Sequence, residues 1–177
     1  MECIGELAGL VRTERLSLLP LRVEFADEMA AVLGDPGLHA FTGGAPLGAE
    51  ALRSRYERLV AGSPDPAVGW LNWVIQWRDR RRLVGTVQAT VTAGPVAEVA
   101  WVVGSRWQGH RIGSEAAVGL VDWLAGQRVR TVVAHIHPGH AASAAVATAA
   151  GLTATDRWHD GEVRWQREIV PGPELAG

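Results

Sequence analysis

The densest run of residues able to do chemistry is Gln108-Gly109-His110-Arg111-Ile112-Gly113-Ser114. Before it stands a short apolar run, Val99 to Val103, whose β-branched and aromatic residues read as a strand. After it the period turns helical, with Ile112, Ala116, Leu120 and Leu124 recurring every four residues. A strand, a turn with two glycines and a helix aim several free backbone N–H groups at one point, and the positive end of the helix dipole reinforces them. The chemistry of such a turn is anion binding, with phosphate or pyrophosphate the usual occupant. Most strand–turn–helix units bind nothing, so the turn alone leaves that open. Two familiar phosphate loops are excluded. A Walker loop needs a lysine, and the chain has none: every basic residue is arginine. The dinucleotide fingerprint G-x-G-x-x-G is not matched.

Other reactive residues are sparse. His135 and His137 alternate along one strand, a spacing that suits a metal, but no third ligand lies nearby in sequence and no metal is expected. Cys3 is the single cysteine; it cannot close an intrachain disulfide and is not read as a nucleophile. The lack of lysine removes Schiff-base chemistry and a lysine-bound pyridoxal cofactor. Arg80-Arg81-Arg82 is read as a solvated hairpin tip in preference to a binding patch.

The elements that must position these residues follow from period and punctuation. Arg15 to Leu21 is extended, with Pro20 near its end. Val23 to Leu33 and Gly48 to Ala61 have helical spacing, separated by a loop from Leu38 to Leu47. Trp70 to Trp77 and Leu83 to Thr92 read as strands, and Gly94-Pro95 turns the chain into Val99–Val103. After the central helix, Thr131 to His137 reads as a buried strand and Ala141 to Ala150 as a small-residue helix ended by Gly151. Leu152 to Trp158 and Glu162 to Ile169 are strands joined by the hairpin signal His159-Asp160-Gly161. The predicted order is β-αα-β-β-β-α-β-α-β-β.

The Gln108 turn resembles motif A of the GNAT superfamily of acyl-CoA-dependent N-acetyltransferases, Q/R-x-x-G-x-G/A between a strand and a helix. Gln108, Gly113 and Ser114-Glu115-Ala116 fit it, and Arg111 stands where the family has its middle glycine. The likeness covers nearly the whole chain. Thr13-Glu14-Arg15-Leu16-x-Leu18-x-Pro20-Leu21 resembles the opening of the branch that acetylates ribosomal-protein N-termini (Rim-type), and His140-Ala141-Ala142-Ser143 with Gly151-Leu152 resembles that family's N-x-x-S/A and G-F/L segment. The resemblance implies an α/β (α+β) GNAT fold. That fold has a mixed, mostly antiparallel sheet of about seven strands, splayed at its fourth and fifth strands, with helices on both faces.

Site roles are also implied by the resemblance. Trp101, Val102 and Val103 would pair with the pantetheine arm of acetyl-CoA, and the N–H groups of Gln108, Gly109, His110, Arg111, Ile112, Gly113 and Ser114 would hold the pyrophosphate. Arg111 keeps the N–H and adds a cation that reaches a phosphate or points to solvent. His140 stands in for the family asparagine beside the arm. Ser143 would hydrogen-bond the departing thiolate; its plain alternative is a helix N-terminal serine bonding its own backbone. The family's tyrosine acid is replaced by Ala147. Glu98 would be the carboxylate base, or else an exposed strand-edge glutamate. Phe41 and Trp73 would line the acceptor pocket, although a tryptophan on a strand usually packs in the core.

Size and composition bound the rest. A chain of 177 residues with a formal charge of −2 suits one domain with no basic field for nucleic acid. No run approaches a membrane span, and MECIGELAGLVR carries acids where a secretory signal needs bases. The expectation is a single cytoplasmic acetyltransferase domain over residues 1–177, with loose tails at 1–12 and 170–177, working as a monomer or homodimer. It would move the acetyl group of acetyl-CoA, its co-substrate, to a primary amine of a small molecule or a protein N-terminus. The competing readings are a degenerate GNAT domain that binds acyl-CoA as a sensor or scaffold and, more distantly, an unrelated α/β binding module.

Overall fold

One open sheet of eight strands runs through the molecule in the order β1-β2-β3-β4-β5-β6-β8-β7. The computed structural model describes residues 8–170. The strands are β1 (Val11–Arg12), β2 (Leu16–Pro20), β3 (Val68–Trp77), β4 (Arg82–Thr92), β5 (Val96–Val103), β6 (Thr131–Ile136), β7 (Thr153–His159) and β8 (Glu162–Glu168). The helices are α1 (Ala26–Val32), α2 (Ala49–Ala61), α3 (Ile112–Ala125) and α4 (Ala141–Ala149). Every neighbouring pair of strands is antiparallel except β5 and β6.

Strand alternation sends side chains to two cores. On one face Trp73, Ile75, Val87, Ala97, Val99, Val132 and Ala134 pack against α3 and the small residues of α4. On the other, Val74 and Leu83 meet Ala26 and Met29 of α1 and Leu52 and Tyr56 of α2. The apolar row predicted for α3 is the buried one: Ile112, Ala116, Leu120 and Leu124 are each at most 1% exposed.

Turn chemistry sets the ends. Gly62, with φ +87°, closes α2, and Gly151, with φ +82°, follows α4 in the left-handed position that ends many helices. Asp160 and Gly161 both have positive φ, the requirement of a two-residue hairpin turn between β7 and β8. Among the described residues no helix is long and apolar enough to cross a membrane.

The mixed, mostly antiparallel sheet is the one expected, with eight strands, and one of them lies in the stretch expected to be a loose tail. Val11 and Arg12 pair with Leu18 and Ser17, Val11 is buried, and the Gly9 carbonyl accepts the Trp73 indole N–H at 2.8 Å. Arg78 reinforces this edge by donating to the carbonyls of Thr13, Glu14 and Leu16. A two-residue strand carries no period, so only its partners disclose it. Residues 1–7 and 171–177 of the expected tails lie outside the described residues.

Candidate active site

β5 and β6 pair only at their beginnings, through Val96 with Thr131, Ala97 with Val132 and Glu98 with Val133. Beyond Glu98 they part. From Val99 to Val103 the side of β5 away from β4 therefore has no strand partner, and its N–H and C=O groups face the gap. The gap opens into a cleft of about 1020 Å³. Trp101, Val102 and Val103 form one wall, with Ala134, His135 and Ile136 opposite. Such a slot suits an extended chain of amides, which can borrow the vacant strand's hydrogen bonds.

At the wide end lies the glycine turn. Gly109 has φ +81° and Arg111 sits in the left-handed region at φ 60°, ψ 20°. The first N–H of α3 with a helical partner is that of Glu115, bonded to the Arg111 carbonyl at 3.1 Å. The N–H groups of Ile112, Gly113 and Ser114 precede it and have no intrahelical acceptor. The place where the family has glycine is thus a position of left-handed backbone. Arginine adopts it at a cost of about 1–2 kcal/mol, and its exposed side chain lines the cleft. Gly113 is constrained by space: an added Cβ would lie 3.2 Å from Val146 and 3.5 Å from Val103.

Side chains brace this turn. Gln108 donates from Nε2 to the Val103 carbonyl at 3.1 Å, joining turn to strand. His110 turns its ring onto Trp77, 5.3 Å away, with Nδ1 at 3.0 Å from the Gln108 carbonyl, so its backbone alone belongs to the turn. Arg15 donates to the His110 carbonyl at 2.9 Å and to Glu115 at 2.7 Å. Glu115 also accepts from Thr13 Oγ1 at 2.5 Å and from the Arg15 backbone N–H at 2.7 Å. Burial pushes the Glu115 carboxyl up, but the bonds from Thr13 and Arg15 outweigh it and hold it below its ordinary value.

On the far wall, α4 points its N-terminus into the cleft. His140 caps it, with Nδ1 accepting from the Ser143 N–H at 3.4 Å. The ring stacks on Phe41 at 4.4 Å. Only Nε2 of His140 is left for a ligand. Desolvation, and then the neighbouring His137, lower its pKa, which favours the neutral ring. The cap is therefore the histidine rather than Ser143, and among the described residues the Ser143 hydroxyl has no hydrogen-bond partner. Both residues line the cleft. Ala147 is fully buried in the main core, so a larger side chain there would meet packed residues.

The acceptor side gives a mixed outcome. Phe41 lies over the cleft between His137 and His140. Trp73 does not offer its ring to a ligand. It is fully buried, its N–H is spent on Gly9, and its ring meets Trp123 of α3 edge-on at 5.2 Å. Trp73 borders the cleft only from beneath its surface, as a fully buried residue that shares the α3 face with Ile75. Its polar neighbour Asn72 also lines the cleft, along with Gln88, its partner on β4. These two were missed, although amides in the middle of apolar strands were a signal. Glu98 stands at the point where β5 and β6 separate, half exposed, with Oε1 at 2.9 Å from His135 Nδ1. Ile112 is buried, so only its N–H can serve the turn.

Comparison with solved structures places the fold among acetyltransferases. A GNAT-family acetyltransferase from Bacillus anthracis superposes with a TM-score of 0.78 at 14% identity, covering 91% of this chain and 99% of the other. A ribosomal L7/L12 α-N-protein acetyltransferase in complex with coenzyme A gives 0.76 at 15%, covering 91% and 98%. The ribosomal-protein-S5-alanine acetyltransferase of Vibrio fischeri gives 0.75 at 17%, covering 91% and 97%. Comparison with curated proteins by sequence found no match. Residues 15–153 match the family described as Acetyltransferase (GNAT) domain, a span holding the splayed strands, the glycine turn and the first turn of α4 alike, and the chain belongs to that family.

Proposed function

We propose that this enzyme transfers the acetyl group of acetyl-CoA directly to a primary amine, on a small molecule or a protein N-terminus. The observation that carries the reading is the splayed strand pair with an unpaired β5 edge ending in a turn of free N–H groups. The slot has the shape and hydrogen-bonding character of a pantetheine site, and the turn that of a pyrophosphate site. The coenzyme A complex of the ribosomal acetyltransferase and the names of its relatives support the same assignment. A cytoplasmic setting goes with it.

Acetyl transfer needs a neutral amine nitrogen, a thioester carbonyl held beside it, and a donor for the leaving thiolate. In this reading the vacant β5 edge orients the thioester. The Ser143 hydroxyl, free of other partners among the described residues and at the N-terminus of α4, donates to the sulfur, and the helix dipole favours the developing negative charge. Glu98 belongs to the path that removes the amine proton. Asn72 and Gln88 give the acceptor pocket neutral hydrogen-bonding groups.

The test is acetyl-CoA turnover measured against a panel of small amines and peptides with free N-termini. Turnover well above amine-free hydrolysis is expected for at least one class. Tight CoA binding with no acetylation of any amine would remove the reading.

A further inference from the structure

The contact between Glu98 and His135 has a sense that the general reading leaves out. A carboxylate only accepts hydrogen bonds, so at 2.9 Å the His135 Nδ1 carries the proton and donates it to Glu98 Oε1. The ring's second nitrogen, Nε2, is then left with a free lone pair. His135 lines the cleft, and Glu98 stands outside the lining. His135 is also the more enclosed partner, with its side chain 14% exposed against 56% for Glu98.

Position along the slot supplies the second half of the argument, and it rests on the function just proposed. A pyrophosphate anchored at Gly109–Ser114 fixes the wide end. The arm must run back along Val103 and Trp101 toward the narrow end, where β5 and β6 close at Glu98 and Val133. The acyl group, at the far end of the arm, comes to rest beside that closure. His135 lies two residues past Val133, on the same side of the gap.

We infer that His135 is the catalytic base, accepting the ammonium proton of the acceptor on Nε2, and that Glu98 is a positioning residue that fixes its tautomer and supports the imidazolium. The step balances as follows. His135 Nε2 takes one proton from R–NH3+, the nitrogen lone pair forms the N–C bond to the thioester carbonyl, and the C–S bond breaks with its electrons on sulfur. The second nitrogen proton goes to the thiolate, giving the free thiol and the amide, and His135 returns its proton to solvent. An imidazole is better matched than a carboxylate to taking a proton from an ammonium near neutral pH.

The charged and titratable neighbours are few enough to name. Glu98 faces His135 from β5 and Arg164 is its pairing partner on β8. His159 at the end of β7 brings its ring within 5.1 Å and is itself 3.3 Å from Asp160. Glu162 lines the same cleft, and His137 follows on the strand. Glu98 is the one hydrogen-bonded to the ring.

The experiment is the pH dependence of kcat/KM for wild type, His135→Gln and Glu98→Gln with the best acceptor amine, with the CoA-induced rise in melting temperature as a control for an intact site. His135→Gln is expected to keep that rise and lose about 100-fold in kcat/KM at pH 7, with the deficit shrinking as the amine becomes neutral at high pH. Glu98→Gln is expected to lose about tenfold, because the ring loses the acceptor that fixes its tautomer. The inference is overturned by a His135→Gln enzyme within twofold of wild type, or by a Glu98→Gln enzyme that loses more than His135→Gln, which makes the carboxylate itself the base. Nitrogen-15 chemical shifts of the neutral histidine rings test the pair without turnover. His135 carries its proton on Nδ1 in wild type and becomes a mixture of tautomers in Glu98→Gln if the pair exists, and an unchanged tautomer overturns it. Failure of the general function shows separately, as a wild type that binds CoA and acetylates nothing.

Discussion

Single side chains here divide into those that hold the sheet and those that face the cleft, and residue type alone does not separate them. Trp73 and Asn72 are adjacent on β3 and both border the cleft, yet the indole is fully buried against α3 and the amide stays partly exposed. The tryptophan looked functional because it stands among several large aromatics, Phe41, Trp70 and Trp77 with it, on the side expected to take the acceptor; strand parity, with Asn72 and Gln76 marking the opposite face, was the better guide. Trp73→Phe is expected to lower unfolding free energy in urea by about 1–3 kcal/mol, since the Gly9 carbonyl loses its donor and the ring is smaller. Both Michaelis constants should stay near wild type; a rise in the acceptor constant alone would return Trp73 to the substrate site. Ser143 is the opposite case, a small hydroxyl that lines the cleft with no hydrogen-bond partner among the described residues. One such hydrogen bond contributes roughly 1–3 kcal/mol, so Ser143→Ala should lower kcat about ten- to a hundredfold with little change in acetyl-CoA affinity. Wild-type kcat, under conditions where chemistry limits turnover, would rule the donor role out. Arg111 was legible as a departure from a glycine pattern, but its left-handed backbone was not, because an arginine at φ 60° looks ordinary in sequence.

At the scale of elements, periodicity recovered the helices and strands to within a few residues and failed where an element is too short to have a period, as in β1. It also could not supply partners. Glu98 and His135 are 37 residues apart and meet only because β5 and β6 run parallel in one particular register. The junction between β2 and α3 was hidden for the same reason. Glu115, in the first turn of α3, gathers Thr13 and Arg15 from the β1–β2 connection, while Arg15 also holds the His110 carbonyl of the glycine turn. The folded Glu115 carboxyl sits below its ordinary value of 4.5. A depressed carboxyl adds stability above its unfolded pKa and loses it as pH falls through the folded pKa. Wild type should therefore exceed Glu115→Gln in urea stability at pH 7, and the gap should narrow as pH drops below about 4.5 toward 3. A gap that stays constant over that range would show that the carboxylate's charge plays no part.

For the whole molecule, the fold class was legible once element order and the glycine turn were combined, but the separation of β5 from β6 was not, since alternation says which face a residue takes and nothing about where two strands diverge. That separation gives the clearest global test. Coenzyme A at about a hundredfold over its dissociation constant should stabilise the folded state by about 2.7 kcal/mol and raise the melting temperature by several degrees. Gly113→Asp should abolish the rise, because Val146 and Val103 leave no room for the new side chain and its charge opposes the pyrophosphate. An undiminished rise in that variant would move the binding site elsewhere. Among the described residues, the three residue pairs that close the narrow end of the slot, extended by the Arg130 and Thr131 N–H groups donating to the Pro95 carbonyl, are the backbone seam between the β1–β5 and β6–β8–β7 portions of the sheet. So short a seam leaves most of the coupling to the core that the two portions share under α3, and β6, β7 and β8 are expected to open below the free energy of global unfolding. In hydrogen exchange their amides should form a less protected class than those of β3 and β4, and coenzyme A, spanning the slot, should draw the two classes together. A ligand that lends its amides to a parted sheet would act as the missing strand segment, and filling the slot is expected to make the two portions of the sheet unfold as one.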